Sequence, residues 1–199
     1  MRQKDNYDDY RRNGIFFVVT GPSGVGKTTI MESTLERDEN LEYSVSHTTR
    51  DKRSGEVDGE DYYFVSKRKF EKIRDNEGFL EWAEVYGDYY GTSRKVIERI
   101  KNEGSDPFLD IDVQGAEQLR ADSSVTAAFV FIAPPSLEEL ERRIVDREAE
   151  DLKTIEKRMR VARDEITRIP EFDYLIVNDK LESAVKDMES VIRAERLKV

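Results

Sequence analysis

The sequence has no cysteine and a single histidine, His47. The lack of cysteine excludes disulfide bonds, thiol catalysis and cysteine-ligated zinc sites, and one histidine cannot form a histidine metal cluster. Long hydrophobic runs are also missing, since no stretch approaches the roughly 18 apolar residues of a membrane-spanning helix. Residues 1–13 contain no apolar segment of the kind found in secretion signals. We therefore expect a cytoplasmic protein that does not associate with membranes.

Positive charge is in deficit, because 33 basic residues stand against 43 acidic ones and the net charge is −10. This sign is wrong for a protein that coats a polynucleotide, since phosphates bind to basic surfaces. An anionic substrate would need locally concentrated positive charge. Basic side chains do cluster in three places, at Arg50, Lys52 and Arg53, at Arg142, Arg143 and Arg147, and at Lys157, Arg158, Arg160 and Arg163. We therefore expect a small anionic substrate and no polynucleotide partner.

The distribution of apolar residues predicts an α/β fold. With 199 residues, of which 37% are hydrophobic, the chain is long enough for one main core and an insertion. Short apolar runs predict strands at 15–20, 108–112, 127–133 and 174–177, and helical periodicity predicts helices at 28–35, 92–103, 136–147, 152–169 and 181–191. Because strands alternate with helices, we expect a parallel sheet covered by helices on both faces.

The middle of the chain differs from this pattern. Strands are predicted at 43–49, 62–65 and 79–86, with a helix at 67–76 and a charged, glycine-containing loop at 50–60. The long alternation of strands and helices is missing here. We therefore predict that residues 46–91 form a small β-rich subdomain inserted into the core.

Residues 21–28, with the sequence GPSGVGKT, match the phosphate-loop pattern G-x-x-x-x-G-K-[ST] at every fixed position. A predicted strand precedes this P-loop and a predicted helix follows it, as the pattern requires. Backbone N–H groups of such a loop surround phosphate oxygens, Lys27 adds positive charge, and the Thr28 hydroxyl can bind Mg²⁺. The predicted nucleotide-phosphate contacts are Gly21, Ser23, Gly24, Gly26, Lys27, Thr28 and Thr29. The alternatives are a glycine-rich turn that binds nothing, or the P-loop of another nucleotide-binding class.

Further segments resemble the guanylate kinase family. These are 46–62 (SHTTRDKRSGEVDGEDY), 81–83 (EWA), 89–92 (YYGT), 110–115 (DIDVQG) and 177–179 (VND), and the resemblance runs from about Ile15 to the C-terminus. It implies transfer of a phosphoryl group from ATP to GMP with Mg²⁺. It also implies a P-loop core at 14–45 and 92–199 behind an N-terminal tail at 1–13, a GMP-binding insert at 46–91, and a short helical lid at about 147–158.

The resemblance assigns roles to several basic side chains. Phosphoryl transfer depends on positioning and positive charge, and arginine binds phosphate through two parallel hydrogen bonds. Arg50 and Arg53 match the arginines that hold the GMP phosphate, together with the hydroxyls of Tyr62 and Tyr90. Arg147 and Arg158 match those that close on the transferred group, so the implied catalytic residues are Lys27, Arg50, Arg53, Arg147 and Arg158. A solvated surface position is the alternative for any single arginine.

The resemblance also assigns the contacts of the bases and the metal. Carboxylates only accept hydrogen bonds, which suits the N1–H and amino donors of guanine, and Glu81 and Asp112 match the family's two guanine acceptors. Asp110 matches the residue that acts on Mg²⁺ through water, and Asn178 the residue beside the adenine of ATP. The remaining implied GMP contacts are Ser46, Gly91 and Thr92. We also expect Asp110 and Asp112, two residues apart on one strand, to point the same way, although an aspartate at a strand end is often only a cap.

Two residues depart from the family pattern, and a third position is conservative. His47 replaces a small or apolar residue and is interpreted as a neutral bystander, and Glu148 stands where glycine is usual, which predicts a stiffer lid. Thr92 replaces a frequent serine but keeps the hydroxyl.

The sequence leaves three alternative functions to compare with this one. A guanylate-kinase-like scaffold domain would bind proteins without turnover, but such domains typically lack an intact P-loop. A P-loop GTPase would need the motif Asn-Lys-x-Asp, whereas residues 178–180 have the order Asn-Asp-Lys. Another nucleoside-monophosphate kinase is excluded only by the guanine contacts. The oligomeric state does not follow from the sequence.

Overall fold

The computed structural model describes residues 14–147 and 152–198. The first half of the chain forms β1 (Phe16–Thr20), α1 (Lys27–Leu35), β2 (Leu41–Tyr43), β3 (His47–Thr48), β4 (Tyr63–Phe64), α2 (Lys67–Asp75), β5 (Phe79–Val85) and β6 (Asp88–Ser93). The second half forms α3 (Arg94–Asn102), β7 (Asp106–Asp110), α4 (Val113–Ala121), β8 (Ala127–Ala133), α5 (Leu137–Arg147), α6 (Leu152–Ile166), a short 3-10 helix (Ile169–Glu171), β9 (Tyr174–Val177) and α7 (Leu181–Arg196).

The main sheet is parallel, as the sequence predicts. Its five strands lie in the order β2-β7-β1-β8-β9, so the first strand of the chain lies at the centre. Side chains of β1 alternate between two apolar cores: Phe17 and Val19 face a core formed with α1, α5, α6 and α7, whereas Phe16 and Val18 face one formed with α3 and α4. The prediction of helices on both faces is therefore confirmed.

A second, mixed sheet lies in the middle of the chain. Its strand order is β4-β3-β6-β5, with antiparallel pairs between β3 and β6 and between β5 and β6. Phe70 of α2 packs its ring 4.5 Å from that of Phe79 on β5, and with Val65 they form a small separate core. The two sheets therefore have separate hydrophobic cores.

Several predicted element boundaries are wrong, each for a local reason. The strand predicted at 43–49 is two strands in different sheets, because the chain crosses from one to the other after Tyr43. The strand predicted at 108–112 ends at Asp110, since Asp112 is the N-cap of α4. Residues 92 and 93 continue β6 by pairing with β5, which delays the start of α3 to Arg94. Helix α4 itself was not predicted.

At its C-terminal end the chain is close to expectation. Strands β8 and β9 have the predicted bounds, α6 ends three residues early, and α7 extends five residues beyond the expected end. Ser136 caps the start of α5, because its hydroxyl accepts a hydrogen bond from the Glu139 N–H at 3.1 Å. Within the ranges described above, none of the helices is long and apolar enough to cross a bilayer.

Candidate active site

The P-loop lies between β1 and α1, and its backbone depends on glycine. Gly26 is the N-cap of α1 with φ +96°, and a Cβ there would lie 2.5 Å from Nδ2 of Asn178. At Gly21, a Cβ would lie 2.2 Å from the backbone oxygen of Ile132 on β8. Because Gly26 has no side chain to cap the helix, the first N–H groups of α1 can be donated to a ligand. This geometry suits an anion at the N-terminus of α1.

Lys27 joins the P-loop to the end of strand β7. Its Nζ donates to the backbone oxygen of Gly21 at 2.6 Å and lies 3.9 Å from Oδ1 of Asp110. The pairing of β1 with β7 places Val19 beside Asp110, which explains this proximity. Burial raises the pKa of Asp110, and the positive charge of Lys27 opposes that rise. A cation and a carboxylate are thus held together at the carboxyl edge of the parallel sheet.

Two side chains from the C-terminal half donate hydrogen bonds to the backbone of the P-loop. Asn178 is buried, and its Nδ2 donates to the backbone oxygen of Val25 at 2.8 Å. Arg143 donates to the same oxygen at 3.4 Å and to the backbone oxygen of Asn178 at 3.1 Å, while Glu139 accepts from its Nε at 2.8 Å. The amide of Asn178 is therefore used to hold the loop, and its predicted contact with adenine stays a proposal.

Glu81 has a buried carboxylate that hydrogen bonds hold in place. It lies on β5, is 4% exposed, and accepts two hydrogen bonds on Oε1, from the N–H of Thr92 at 3.0 Å and from its hydroxyl at 2.5 Å. The register of β5 against β6 places these two residues opposite each other. Burial raises the pKa of Glu81 to about 7, the Thr92 hydroxyl opposes the rise, and the charge of Asp112 adds to it. Both predicted contacts, Glu81 and Thr92, are thus brought together.

Asp112 lies at the start of α4, and Gly115 lies between its carboxylate and that of Glu81. Its Oδ1 accepts from the N–H of Gly115 at 2.8 Å, and its Oδ2 from the side-chain amide of Gln114 at 3.0 Å. Asp112 is therefore a helix cap, which was the structural alternative at this position, but its half-buried carboxylate also contributes to the charge around Glu81. A capping aspartate can accept a ligand hydrogen bond as well, because a carboxylate has about four acceptor positions.

Arg50 is held in place by an acid and by aromatic rings. Its two terminal nitrogens donate to the carboxylate of Glu56 at 2.7 and 3.1 Å, and its guanidinium carbon lies 5.5 Å from the centre of the Tyr62 ring. Hydrogen bonding to Glu56 raises the pKa of Arg50, and Tyr90 contributes as a further hydrogen-bond partner. The rings of Tyr62 and Tyr90 are 5.8 Å apart. Three predicted phosphate contacts therefore lie in one cluster.

Glu56 orders the rest of this loop. Besides Arg50, its carboxylate accepts a hydrogen bond from the backbone N–H of Arg53 at 2.7 Å. The pKa of Glu56 is lowered chiefly by its hydrogen bond with Arg50. Glu56 was not among the predicted site residues. The signal that could have identified it is its spacing, since Glu56 follows Arg50 by six residues and Arg53 by three in a loop whose two arginines must converge.

The electrostatics of Tyr62 connect the second sheet to the main sheet. Burial raises the pKa of Tyr62 to about 12, and the negative charge of Asp110 is the next largest cause. Asp110 lies at the end of β7 and Tyr62 directly before β4, so the effect of the Asp110 charge on Tyr62 brings the ends of these two elements near each other. The P-loop side and the aromatic cluster around Arg50 therefore face the same space.

The predicted lid is described only in part. Residues 148–151 and the side chain of Arg147 lie outside the described residues, which includes the predicted effect of Glu148. Arg158 is half-buried on α6. Glu165 follows seven residues later, about two helical turns, so both side chains lie on one face of α6. Burial raises the pKa of Glu165, while Lys27 opposes the rise and Asp112 adds to it. This face of α6 is therefore directed toward the P-loop.

Other predicted positions fall into two groups. Ser23, Thr28 and Thr29 are exposed around the first turn of α1, where a nucleotide could reach them. Ser46 is buried directly before β3, and Gly91 is buried in β6, where it pairs with both His47 and Trp82. Burial lowers the pKa of His47 to about 4, and its ring packs 4.8 Å from that of Tyr63. His47 is therefore neutral near pH 7, as predicted.

Sequence reasoning missed Arg143 and Glu165 as members of this site. Arg143 was recognised only as part of a basic cluster, although Glu139 four residues earlier indicates a fixed ion pair on a helix. Glu165 could have been found from its spacing of two turns from Arg158.

Comparison with known proteins gives one consistent result. The family model for guanylate kinase matches residues 14–195. A guanylate kinase from Carboxydothermus hydrogenoformans is 48% identical over 185 residues, which cover 93% of this chain and 90% of that relative. One from Vibrio parahaemolyticus is 48% identical over 187 residues, with the same shares of 93% and 90%. The crystal structure of guanylate kinase from Anaplasma phagocytophilum matches with a TM-score of 0.79 at 35% identity, over 95% of this chain and 90% of that one.

Proposed function

The chain belongs to the guanylate kinase family, and we propose how its residues carry out the transfer of a phosphoryl group from ATP to GMP. The chain is an ATP:GMP phosphotransferase, which forms ADP and GDP. The observation that supports the site assignment best is that one segment, 110–115, touches both halves of the site. Asp110 lies 3.9 Å from Lys27 of the P-loop, and a Cβ at Gly115 would lie 2.3 Å from the carboxylate of Glu81. The catalytic function is favoured over an inactive scaffold domain, because the P-loop is complete and the relatives are guanylate kinases.

On the donor side, the P-loop residues Gly21, Ser23, Gly24 and Gly26 surround the phosphates of ATP. Lys27 leaves its contact with the Gly21 oxygen to neutralise charge on the β- and γ-phosphates, and Thr28 and Thr29 add hydroxyls. Helix α1 contributes the positive end of its dipole. Asn178 keeps Val25 in place and borders the adenine. Each of these residues orients the donor so that its terminal phosphorus faces the acceptor.

On the acceptor side, residues 46–91 form the proposed GMP-binding insert, whose sheet continues to Ser93. Arg50 and Arg53 hold the GMP phosphate, with the hydroxyls of Tyr62 and Tyr90. Glu81 and Asp112 accept hydrogen bonds from guanine, beside the proposed contacts Ser46, Gly91 and Thr92. Arg147 and Arg158 then close on the transferred group, where positive charge stabilises the transition state.

The residues near Lys27 fit Mg²⁺ that arrives with ATP. Mg²⁺ is usually bound by one or two carboxylates together with substrate phosphates and water. Across the described residues, no group of three or more Asp, Glu, His or Cys side chains could form a metal cage. Asp110, acting through water, and the Thr28 hydroxyl supply the small donor set that such an ion needs. When bound, the ion would neutralise charge on the phosphates.

A coupled assay of ADP release tests the function directly. The protein is supplied with ATP, Mg²⁺ and one of GMP, AMP, CMP, UMP or dTMP. We expect turnover with GMP and at least ~10⁴-fold less kcat/KM with AMP, because AMP lacks the guanine donors. Equal turnover of AMP and GMP would refute the guanine assignment. Absence of turnover with every acceptor would refute the conclusion that the protein is a phosphotransferase.

The pKa of Glu81 predicts how GMP affinity depends on pH. Guanine needs the ionised carboxylate, so protonation of Glu81 below pH 7 competes with GMP binding. The KM for GMP should therefore rise as pH falls from 8 to 6, approaching ~10-fold per pH unit below the pKa. Steady-state kinetics of wild type and Glu81→Gln at each pH measure this, and the variant corrects for titration of the GMP phosphate. Parallel pH profiles for the two proteins would contradict the prediction.

We further propose that the insert and the lid close over both substrates, since water must be excluded from the transferred group. Nζ of Lys157 on α6 lies 4.8 Å from the centre of the Tyr86 ring, in the turn between β5 and β6. This cation–π contact joins the lid helix to the insert. An exposed contact of this kind contributes about 0.5–1 kcal/mol.

Small-angle scattering and kinetics test the closure. A bisubstrate inhibitor should reduce the radius of gyration, and ATP alone should reduce it less. Tyr86→Ala should raise the KM for both substrates by ~2–5-fold, from the energy of the lost contact, whereas Tyr86→Phe keeps the ring and should raise it less than Tyr86→Ala does. An unchanged radius of gyration with the inhibitor would count against closure.

The proposed partners are the two nucleotides alone, and the proposed location is the cytoplasm. The excess of 43 acidic over 33 basic residues supports the expectation that no polynucleotide binds.

A further inference from the structure

We propose that Gly115 is a positioning residue that sets where the carboxylate of Glu81 lies and so contributes to guanine selection. This inference rests on the proposed role of Glu81 and Asp112 as guanine acceptors. Gly115 itself offers guanine no side chain. Its contribution is the space it leaves and the N–H it donates.

The backbone conformation at position 115 does not require glycine. Gly115 lies in the first turn of α4 and is not among the glycines with positive φ, so its backbone would accept any residue. In a helix, alanine is preferred over glycine, because glycine loses more backbone freedom when the helix forms. A glycine therefore costs helix stability here, and the reason for it must lie in its surroundings.

Those surroundings are the two proposed guanine acceptors. A Cβ on Gly115 would lie 2.3 Å from Oε2 and 3.0 Å from Cδ of Glu81, and 3.4 Å from Oδ1 of Asp112. The Gly115 N–H also donates to Oδ1 of Asp112 at 2.8 Å. One residue thus contacts both carboxylates, through its missing side chain and through its backbone.

Glu81 cannot move away from such a Cβ without losing hydrogen bonds or strand pairing. Its other oxygen is held by the N–H and hydroxyl of Thr92, at 3.0 and 2.5 Å. Its backbone is fixed by pairing of β5 with β6, and the residue is 4% exposed. A methyl group at Gly115 would therefore break the Thr92 contacts or turn the carboxylate away from its present direction. Buried groups are packed too closely to absorb that change elsewhere.

The test is Gly115→Ala with steady-state kinetics. Misplacement of a binding group by about 1 Å can cost ~10²-fold, so we expect kcat/KM for GMP to fall ~10²-fold, mainly through KM. The KM for ATP should stay within ~2-fold, and the preference for GMP over AMP should narrow. Glu117→Ala is the matched control, since Glu117 is exposed on the same helix and its pairing with Arg168 lies outside the site.

A double-mutant cycle separates this role from a general effect on folding. Glu81→Asp is one methylene shorter and leaves room for the Cβ of an alanine at 115. We expect Glu81→Asp to cost much less GMP affinity in the Gly115→Ala background than in wild type, which is a coupling between the two sites. If Gly115→Ala does not fold, recovery of folding in the double variant would support the same clash.

Other results would overturn the inference. Unchanged GMP kinetics in Gly115→Ala, equal losses for ATP and GMP, additive effects in the cycle, or failure of both variants to fold would each assign Gly115 to other packing. Glu81→Gln distinguishes failure of the inference about Gly115 from failure of the guanine assignment. If Glu81→Gln weakens GMP binding while Gly115→Ala does not, only the inference about Gly115 is wrong. If neither substitution weakens GMP binding, the guanine assignment is wrong as well.

Discussion

Lys27→Ala should lower kcat by at least ~10²–10³-fold, which is the loss typical of removing one preorganised group that stabilises transition-state charge. Lys27 is the P-loop cation, and its Nζ is 2.6 Å from the Gly21 oxygen and 3.9 Å from Asp110. In the proposed mechanism, this charge compensates the negative charge that develops between donor and acceptor when ATP is bound. Alanine leaves the phosphates facing Asp110 without a neutralising cation.

Single-turnover and steady-state measurements at saturating ATP and GMP test this prediction. Lys95→Ala is the control, because Lys95 is an exposed lysine on α3, outside the site. Thermal unfolding of each variant shows whether the fold is intact, and that comparison matters because Asp110 loses the cation that opposes its raised pKa. Near-normal kcat in a folded Lys27→Ala protein would refute the mechanism proposed for the P-loop.

Glu81→Gln and Asp112→Asn should each raise the KM for GMP by ~10–10²-fold, the equivalent of one hydrogen bond to a charged group at about 1.5–3 kcal/mol. Each amide presents donor hydrogens where guanine also presents donors. AMP has an acceptor at N1, so both substitutions should narrow the preference for GMP over AMP. The KM for ATP should change little, since neither residue is assigned to the donor.

Both substitutions should keep the local structure. Asparagine is as good an N-cap as aspartate, so Asp112→Asn keeps the start of α4. Glutamine keeps an oxygen for the bonds from Thr92, and burial disfavours the ionised form of Glu81. The melting temperature of Glu81→Gln at pH 8 should therefore equal or exceed that of wild type. If both variants weakened ATP and GMP equally, the two acids would serve folding or metal binding instead.

The parts of the fold that depend on local sequence could be predicted. β8 and β9 were placed correctly because continuous apolar runs end at turn residues. The P-loop was identified because glycine, lysine and threonine must follow each other at fixed spacing. The family resemblance supplied the guanine and arginine positions, and the structure brings Glu81, Thr92 and Asp112 together.

The parts that depend on tertiary contacts could not be predicted. Nothing in residues 43–49 indicates that the chain leaves one sheet and enters another. Helix α4 has the apolar residues Val113, Ala116 and Leu119 on its buried side, but a strand prediction that extended to Asp112 obscured its start. The roles of Arg143 and Gly115 arise from partners distant in sequence, at Val25 and Glu81. Such pairs are fixed only by the three-dimensional packing.

The central position of β1 has a consequence for synthesis on the ribosome. β1 leaves the exit tunnel first, yet it lies between β7 and β8, and the Val25 oxygen beyond it is bonded by Asn178. The nascent P-loop therefore lacks these partners until β7, β8 and Asn178 have been translated. Pairings so distant in sequence form slowly, because a long loop must close before they stabilise anything. Nucleotide-binding competence should consequently appear only after Asn178 has been translated, and a chain that stops before Asn178 would present its P-loop without that support.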